Sequence, residues 1–231
     1  MVFQDPASQF ARYDQLCPHY NLVADAIYAE WRRQKAPFSL AYRPYLIAAL
    51  IAFDMGRMMG AGLVQRYDSA AGGFATRLDR KLARVQPLLE PLVQHNLFEV
   101  DVSRSGRDIV RAYDVLAAGG PDGLHEQGKA FHVGATKVLH FLHPELFIIV
   151  DANTARALRA AFRIPYRSST QPGYSGERYV RSLSAVKEWI RDYGVERFRS
   201  LGPGIPVLRI FDKMAFVYGA GLGTADDGGN E

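Results

Sequence analysis

The stretch Lys129-Ala130-Phe131-His132-Val133-Gly134-Ala135-Thr136-Lys137-Val138-Leu139-His140-Phe141-Leu142-His143-Pro144, continued by Glu145-Leu146-Phe147-Ile148-Ile149-Val150-Asp151-Ala152-Asn153-Thr154-Ala155-Arg156-Ala157-Leu158, decides how this chain is read. It has the grammar of turn, helix, connector, helix. Gly134 reads as the turn, and Thr136 to Leu142 as a buried helix. Pro144 ends that helix, because proline disfavours helical geometry in the residue before it. Leu146 to Val150 is an apolar connector. Asp151 then occupies the N-cap of a second helix running to about Phe162. Lys137 and Asp151 are 14 residues apart, and a connector that doubles back brings both to one cleft. An acid at a helix N-terminus feels the positive end of the helix dipole. An amine nucleophile beside a carboxylate suits chemistry at a sugar C1′. The plainer account makes Asp151 a structural cap and Lys137 a lysine snorkelling at the helix's wet edge.

The segments Val133-Gly134-Ala135-Thr136-Lys137 and Ile149-Val150-Asp151-Ala152-Asn153-Thr154-Ala155-Arg156-Ala157-Leu158 resemble the helix-hairpin-helix and following aspartate of the base-excision DNA glycosylase superfamily. The similarity is greatest to the 8-oxoguanine DNA glycosylase branch and covers about thirty residues. Phe131-His132-Val133 stands where that superfamily opens its hairpin with Leu-Pro-Gly. The resemblance implies an all-α, bilobal fold with a cleft between lobes, and a catalytic pair Lys137 and Asp151. It also implies a last helix that lines the cleft, with Asp212 and Phe216 helping to read the base.

Composition sets outer bounds. The 231 residues provide for one large domain or two small lobes with ample core. The expectation is a single bilobal domain over 1–218, with hairpin and catalytic segment at 121–162, and a Gly/Asp-rich disordered tail at 219–231. No apolar run approaches a membrane span; the best, Tyr45 to Phe53, is far too short. The N-terminus lacks a signal-like core, and the compartment expected is cytoplasmic. The single cysteine, Cys17, excludes an internal disulfide and a four-cysteine iron–sulfur cluster. No cofactor is expected. Net charge is +4 and the isoelectric point near 9.2, which permits nucleic-acid binding without proving it. Between Arg156 and Arg199 ten basic residues face four acids. They are either solvated helix faces or phosphate contacts beside the candidate acid.

Elsewhere the pattern is helical. Helices are expected over His19–Arg33, Leu46–Met59, Phe74–Asn96 with interruptions near Pro87 and Pro91, Arg107–Ala118, Ser175–Tyr193 and Val207–Tyr218. Leu124–Ala130 is expected as the first helix of the hairpin, and Leu97–Val102 as a brief extended piece. Residues 1–18 are read as mixed. No repeat stands out.

Further candidates carry competing readings. His132, Gly134 and Thr136 around the hairpin, with Arg156, Arg167 and Ser169, are the expected DNA contacts. The loop residues Tyr166, Arg167, Ser168, Ser169 and Gln171 would either be solvated or fill the gap left by a flipped base. His140 and His143, one turn apart, have a spacing that a metal site with Asp151 would use. A core histidine and a helix-terminal histidine account for them without a metal, and none is expected. Arg209 and Asp212 lie at i, i+3, as an intrahelical ion pair on a wet face would. The reading that follows is a monomeric DNA glycosylase, with or without strand cleavage, acting on double-stranded DNA that carries a damaged base such as an oxidised purine. The alternatives are a non-catalytic DNA-binding protein of that fold and a helical protein-interaction domain. An enzyme acting on a free nucleoside or nucleotide is a further rival.

Overall fold

A computed structural model describes residues 3, 5–53, 73–125, 128–166 and 173–221. Among them are ten α-helices and one 3-10 turn, and no strand. The helices are α1 (Pro6–Leu16), α2 (Pro18–Gln34), α3 (Arg43–Ala52), α4 (Phe74–Leu89), α5 (Val102–Ala117), α6 (His132–Leu142), α7 (Ala152–Phe162), α8 (Gly176–Tyr193), α9 (Val195–Arg199) and α10 (Val207–Gly219). The fold is all-α, and no described helix is long and apolar enough to cross a membrane.

Local chemistry sets the boundaries. The side chains of Asp5, Asp101, Asp151 and Ser175 accept first-turn N–H groups of α1, α5, α7 and α8. Prolines open α1, α2 and α3, where the missing N–H costs nothing. Lys35 and Arg163 close α2 and α7 in the left-handed conformation. α4 runs through Pro87 and yields to a 3-10 turn, Glu90–Leu92, only at Pro91. Pro87 lies in the last turn, where little helix remains to be broken.

α6 is the centre of the core. Every residue from Gly134 to Leu142 is buried, and the helix packs on α2, α3 and α5. α8 lies against α5, while α10 is held by α7, α1 and α9. Nearly all buried apolar side chains belong to one continuous cluster.

The connector that follows α6 shapes the site. Leu146 to Val150 are all buried, 0–5% exposed, in irregular backbone. Buried peptide groups need partners, and four of them find side chains. The Phe147 carbonyl accepts from His140 Nδ1 at 2.7 Å and the Ile148 carbonyl from the Tyr179 hydroxyl at 2.9 Å. The Ile149 N–H donates to Asp212 Oδ1 at 3.0 Å and the Val150 N–H to Thr136 Oγ1 at 3.0 Å. Helices α6, α8 and α10 thus pin the connector that delivers Asp151.

Several expectations are corrected. Gly134 is no turn: α6 begins at His132, and Gly134 lies inside it against the buried Phe131 ring. The described part of 124–130 holds no helix. Instead the described residues on either side are joined by Gly120 N–H to the Gly128 carbonyl and Phe131 N–H to the Ala117 carbonyl, 2.8 Å each. Leu97–Val100 forms turns, and Val102 already belongs to α5. α1 and α9 were not expected. The end of the Leu46–Met59 helix, the loop residues Arg167, Ser168, Ser169 and Gln171, and nearly all of the 219–231 tail lie outside the described residues.

A Cβ at Gly134 would sit 2.0 Å from the Phe131 ring, which is itself 1% exposed and cannot swing away. Gly134→Ala is therefore expected to cost about 1–3 kcal/mol, the scale of an overpacked core. Urea unfolding should show a lower midpoint at an unchanged m-value.

Candidate functional site

A cavity of about 520 Å³ opens where α1, α2, α3, α6, α7 and α10 converge. Lys137 and Asp151 both line it, together with Arg209, Asp212 and Phe216. The rest of the wall includes Tyr13, Tyr20, Phe53, Val133 and the first residues of α7. Its size lies within the range of small-molecule sites, about 300–1,000 Å³.

Lys137 projects from the middle of α6 and is 7% exposed. It is buried rather than snorkelling at a wet edge. Its Nζ donates to the carbonyl of Phe53, which closes α3. That carbonyl is one of those a helix C-terminus leaves without an intrahelical partner. Asp151 reaches the cavity from the start of α7. Its Oδ1 accepts from Asn153 N–H at 2.9 Å and Thr154 N–H at 2.8 Å, so the cap uses one oxygen and the other lies outside it. Gly219 lets α10 press on this turn: a Cβ there would fall 1.9 Å from the Asn153 carbonyl.

Arg209 and Asp212 are each 3% exposed, not a pair on a wet face. The Arg209 guanidinium lies over the rings of Tyr13 (4.9 Å) and Phe53 (5.1 Å) and donates to the Tyr13 hydroxyl at 2.8 Å. Asp212 Oδ1 accepts from the Ile149 N–H; Oδ2, buried, makes no hydrogen bond and lies 3.5 Å from His140 Nδ1. Burial pushes the Asp212 carboxyl well above the usual range, against the pull of Arg209 and the Ile149 N–H. Phe216 is half-buried and meets the Tyr13 ring edge-on at 5.5 Å.

His140 supports this corner from beneath. A carbonyl can only accept, so Nδ1 donates to Phe147 and carries the proton. Nε2 then accepts from the Tyr28 hydroxyl at 2.7 Å. Burial holds the His140 pKa down at about 3, and the ring is neutral. His143 faces different surroundings at the far end of α6, so the two histidines do not converge. Among the described residues no group of His, Cys, Asp and Glu could hold a metal ion.

The other sequence candidates fall as follows. His132, half-buried, opens α6 between the rings of Tyr113 and Tyr174, 3.1 Å from the Tyr113 hydroxyl. Thr136 is fully buried, its hydroxyl bonded to the Val133 carbonyl and the Val150 N–H. It positions the connector and does not offer itself to a ligand. Arg156 is exposed and donates to Asn153 at the cavity's edge. Tyr166 is buried on Ser182 and is no loop tip. Arg191 and Arg199 pair with acids on their own helices, and Lys187 is buried on the Val100 carbonyl. The lining cation besides Lys137 is Arg209. Tyr13 and Tyr20 were missed. The signal available for Tyr13 was Asp5-Pro6, a cap followed by a first-turn proline, which marks α1.

The fold and cavity define a class: an all-helical protein whose central helix presents a buried lysine to the same cavity as the aspartate that caps the next helix. Residues 69–201, more than half of the chain, match the family described as "Putative 8-oxoguanine DNA glycosylase OGG-like protein", and the chain belongs to that family. No curated protein and no solved structure was found to match. The matched segment contains Lys137 and Asp151 and stops before Arg209, Asp212 and Phe216.

His140 gives a test of this corner. Unfolded, it titrates near 6.5; folded, near 3. Between these values the unfolded chain takes up a proton that the folded chain refuses, so this contribution is complete above about 6.5 and is lost as pH falls. Gln keeps a donor and an acceptor without titrating. His140→Gln should flatten the fall in unfolding free energy between pH 6.5 and 4 by up to about 1.4 kcal/mol per pH unit, measured by urea titration.

Proposed function

We propose that this protein is a DNA glycosylase that removes a damaged base, such as the oxidised purine its family's description names, from double-stranded DNA. The observation that carries the reading is the convergence of Lys137 and Asp151 on one cavity walled by aromatic rings. A base in a duplex is out of reach, so the nucleotide must leave the stack and enter such a hollow. Phe216, half-buried, and Tyr13 supply aromatic wall to it, and the Asp212 side chain supplies a polar group to the same wall. An aromatic wall with a few placed polar groups is how sites for planar ligands are built.

The steps follow from the two side chains. Lys137 leaves the Phe53 carbonyl, loses its proton and attacks C1′. The C1′–N bond breaks, and the base departs with the electron pair and is protonated. The carboxylate of Asp151 stabilises the positive charge that grows on the sugar. Opening of the C1′–O4′ bond leaves an imine, with the amine's remaining proton passing to O4′. Loss of a C2′ proton from the imine expels the 3′ phosphate and cuts the strand. Arg156, exposed beside the cavity-lining Asn153, is suited to meet the strand, with His132, Arg167 and Ser169 as further candidates by sequence. Gly134 and Thr136 serve by packing and positioning.

Borohydride should trap the protein covalently on DNA containing 8-oxoguanine, and Lys137→Gln should abolish trapping. Asp151→Asn retains a good N-cap and should slow base release about 10²–10³-fold, the scale for losing one preorganised charge-stabilising group. Salt-dependent DNA binding without base release over a panel of lesions would establish the non-catalytic alternative instead. Trapping that persists in Lys137→Gln would remove the lysine from its role.

A further inference from the structure

A second hollow, of about 470 Å³, lies at the C-terminal end of α6. Its walls are Trp31, Arg32 and Lys35 from the end of α2, Val93 to Asn96 and Glu99 from the turns after α4, and His143 and Glu145. It shares no lining residue with the first cavity. His143 lies six residues beyond Lys137, about 9 Å along the helix axis.

We propose that this hollow is a second binding site, for a nucleotide whose base lies against Trp31 and His143 and whose phosphate meets Arg32 and Lys35. Three observations support this. First, His143 is 5% exposed, yet neither ring nitrogen makes a hydrogen bond of good geometry. Backbone groups of Val93, Leu92, His95 and His143 itself lie close enough to favour its protonation, but burial outweighs them and holds the pKa at about 4. The ring is neutral and offers one donor and one acceptor, as the edge of a nucleobase does in return. A buried polar group kept without a partner is a cost that a ligand can remove. Second, an aromatic wall is in place. The Trp31 indole is held by its N–H to the Leu142 carbonyl, 2.9 Å, and its ring centroid lies 5.4 Å from that of His143. Stacking on a fixed indole serves every base.

Third, the mouth carries two cations, Arg32 and Lys35, that make no ion pair at contact distance among the described residues. Glu99 accepts from the Asn96 N–H at 2.9 Å and stands 4.0 Å from His95. Burial raises the Glu145 carboxyl above the usual range, against the Val207 N–H that it accepts at the start of α10 and the fields of Arg199 and Arg32. Arg32 spends one N–H on the Gly204 carbonyl, and neither Arg32 nor Lys35 has an acid within ion-pair distance among the described residues. A phosphate would complete both. The nucleotide comes either free or as part of a DNA strand, and the chemistry of recognition is the same.

The inference stands independently of the first cavity and is tested on the full chain by Trp fluorescence, with the Trp31 indole N–H followed by NMR. Deoxyadenosine and deoxyguanosine monophosphates should give saturable changes in both signals, and Trp31→Phe should remove them. Lys35→Glu, an exposed change that leaves the core alone, should weaken the monophosphates about tenfold, the scale of one charge-assisted contact, and leave the nucleosides unaffected. His143→Phe should weaken both. A single-stranded hexanucleotide that moves the Trp31 signal at lower concentration than the monophosphates identifies a strand as the source; a response to the monophosphates alone identifies the free nucleotide. No saturable change with any of these probes, a change that survives Trp31→Phe, or unaltered monophosphate affinity in Lys35→Glu overturns the proposal.

Discussion

A buried segment of irregular backbone must have its peptide groups satisfied one at a time, and that requirement governs this structure. Phe147 to Val150 cross the core with neither helix nor sheet to supply partners. His140, Tyr179, Asp212 and Thr136 supply them instead. Each bond taken singly is worth about 1 kcal/mol, but leaving a buried group unmade costs its full desolvation. Register therefore follows: moving the connector by one residue would leave four partners without their groups. The position of Asp151, the next residue, is a consequence of that lock.

The same economy recurs at helix ends that finish inside the core. The Tyr42 hydroxyl and the Trp31 indole take the Phe141 and Leu142 carbonyls of α6. Lys81 takes those of Val115 and Ala118 at the end of α5. Lys137 takes that of Phe53 at the end of α3. A lysine in this role is held by the negative end of a helix dipole. Lys81 and Lys137 thus make the same kind of bond. What separates them is surroundings: Lys137 lines a cavity that also holds two carboxylates and a guanidinium.

The helices were legible because apolar side chains recur at helical spacing, and caps and prolines marked several ends. The convergence of Lys137 and Asp151 could be anticipated from the connector between them. Other features could not. Leu124–Ala130 resembles a short helix in composition, yet Gly128 and the earlier Gly120, both at positive φ, let the chain close on itself through main-chain bonds at Gly120, Gly128 and Phe131. Arg209 and Asp212 have the spacing of a surface ion pair, and nothing local says that α10 turns this face to the core. Burial of a polar side chain depends on what packs over it, here α1 through Tyr13 and the connector through Ile149. α1 itself went unread because its buried residues, Pro6, Gln9, Phe10 and Tyr13, make a weak apolar stripe, whereas its anchor to α10, Asp14 to Lys213 at 2.7 Å, is a tertiary pair.

The two carboxylates of the first cavity show how one hollow can divide labour. Asp151 is half-buried and accepts two N–H groups at a helix start, with a second oxygen to spare. Asp212 is buried, accepts one N–H, and is driven toward its protonated form by desolvation. Carboxyl groups whose environments differ in this way are suited to different tasks. A carboxyl that can carry a proton, as the surroundings of Asp212 favour, can donate as well as accept. The two acids thus differ in what holds them: Asp151 caps a helix at the cavity wall, and Asp212 is sealed beneath the connector that it pins.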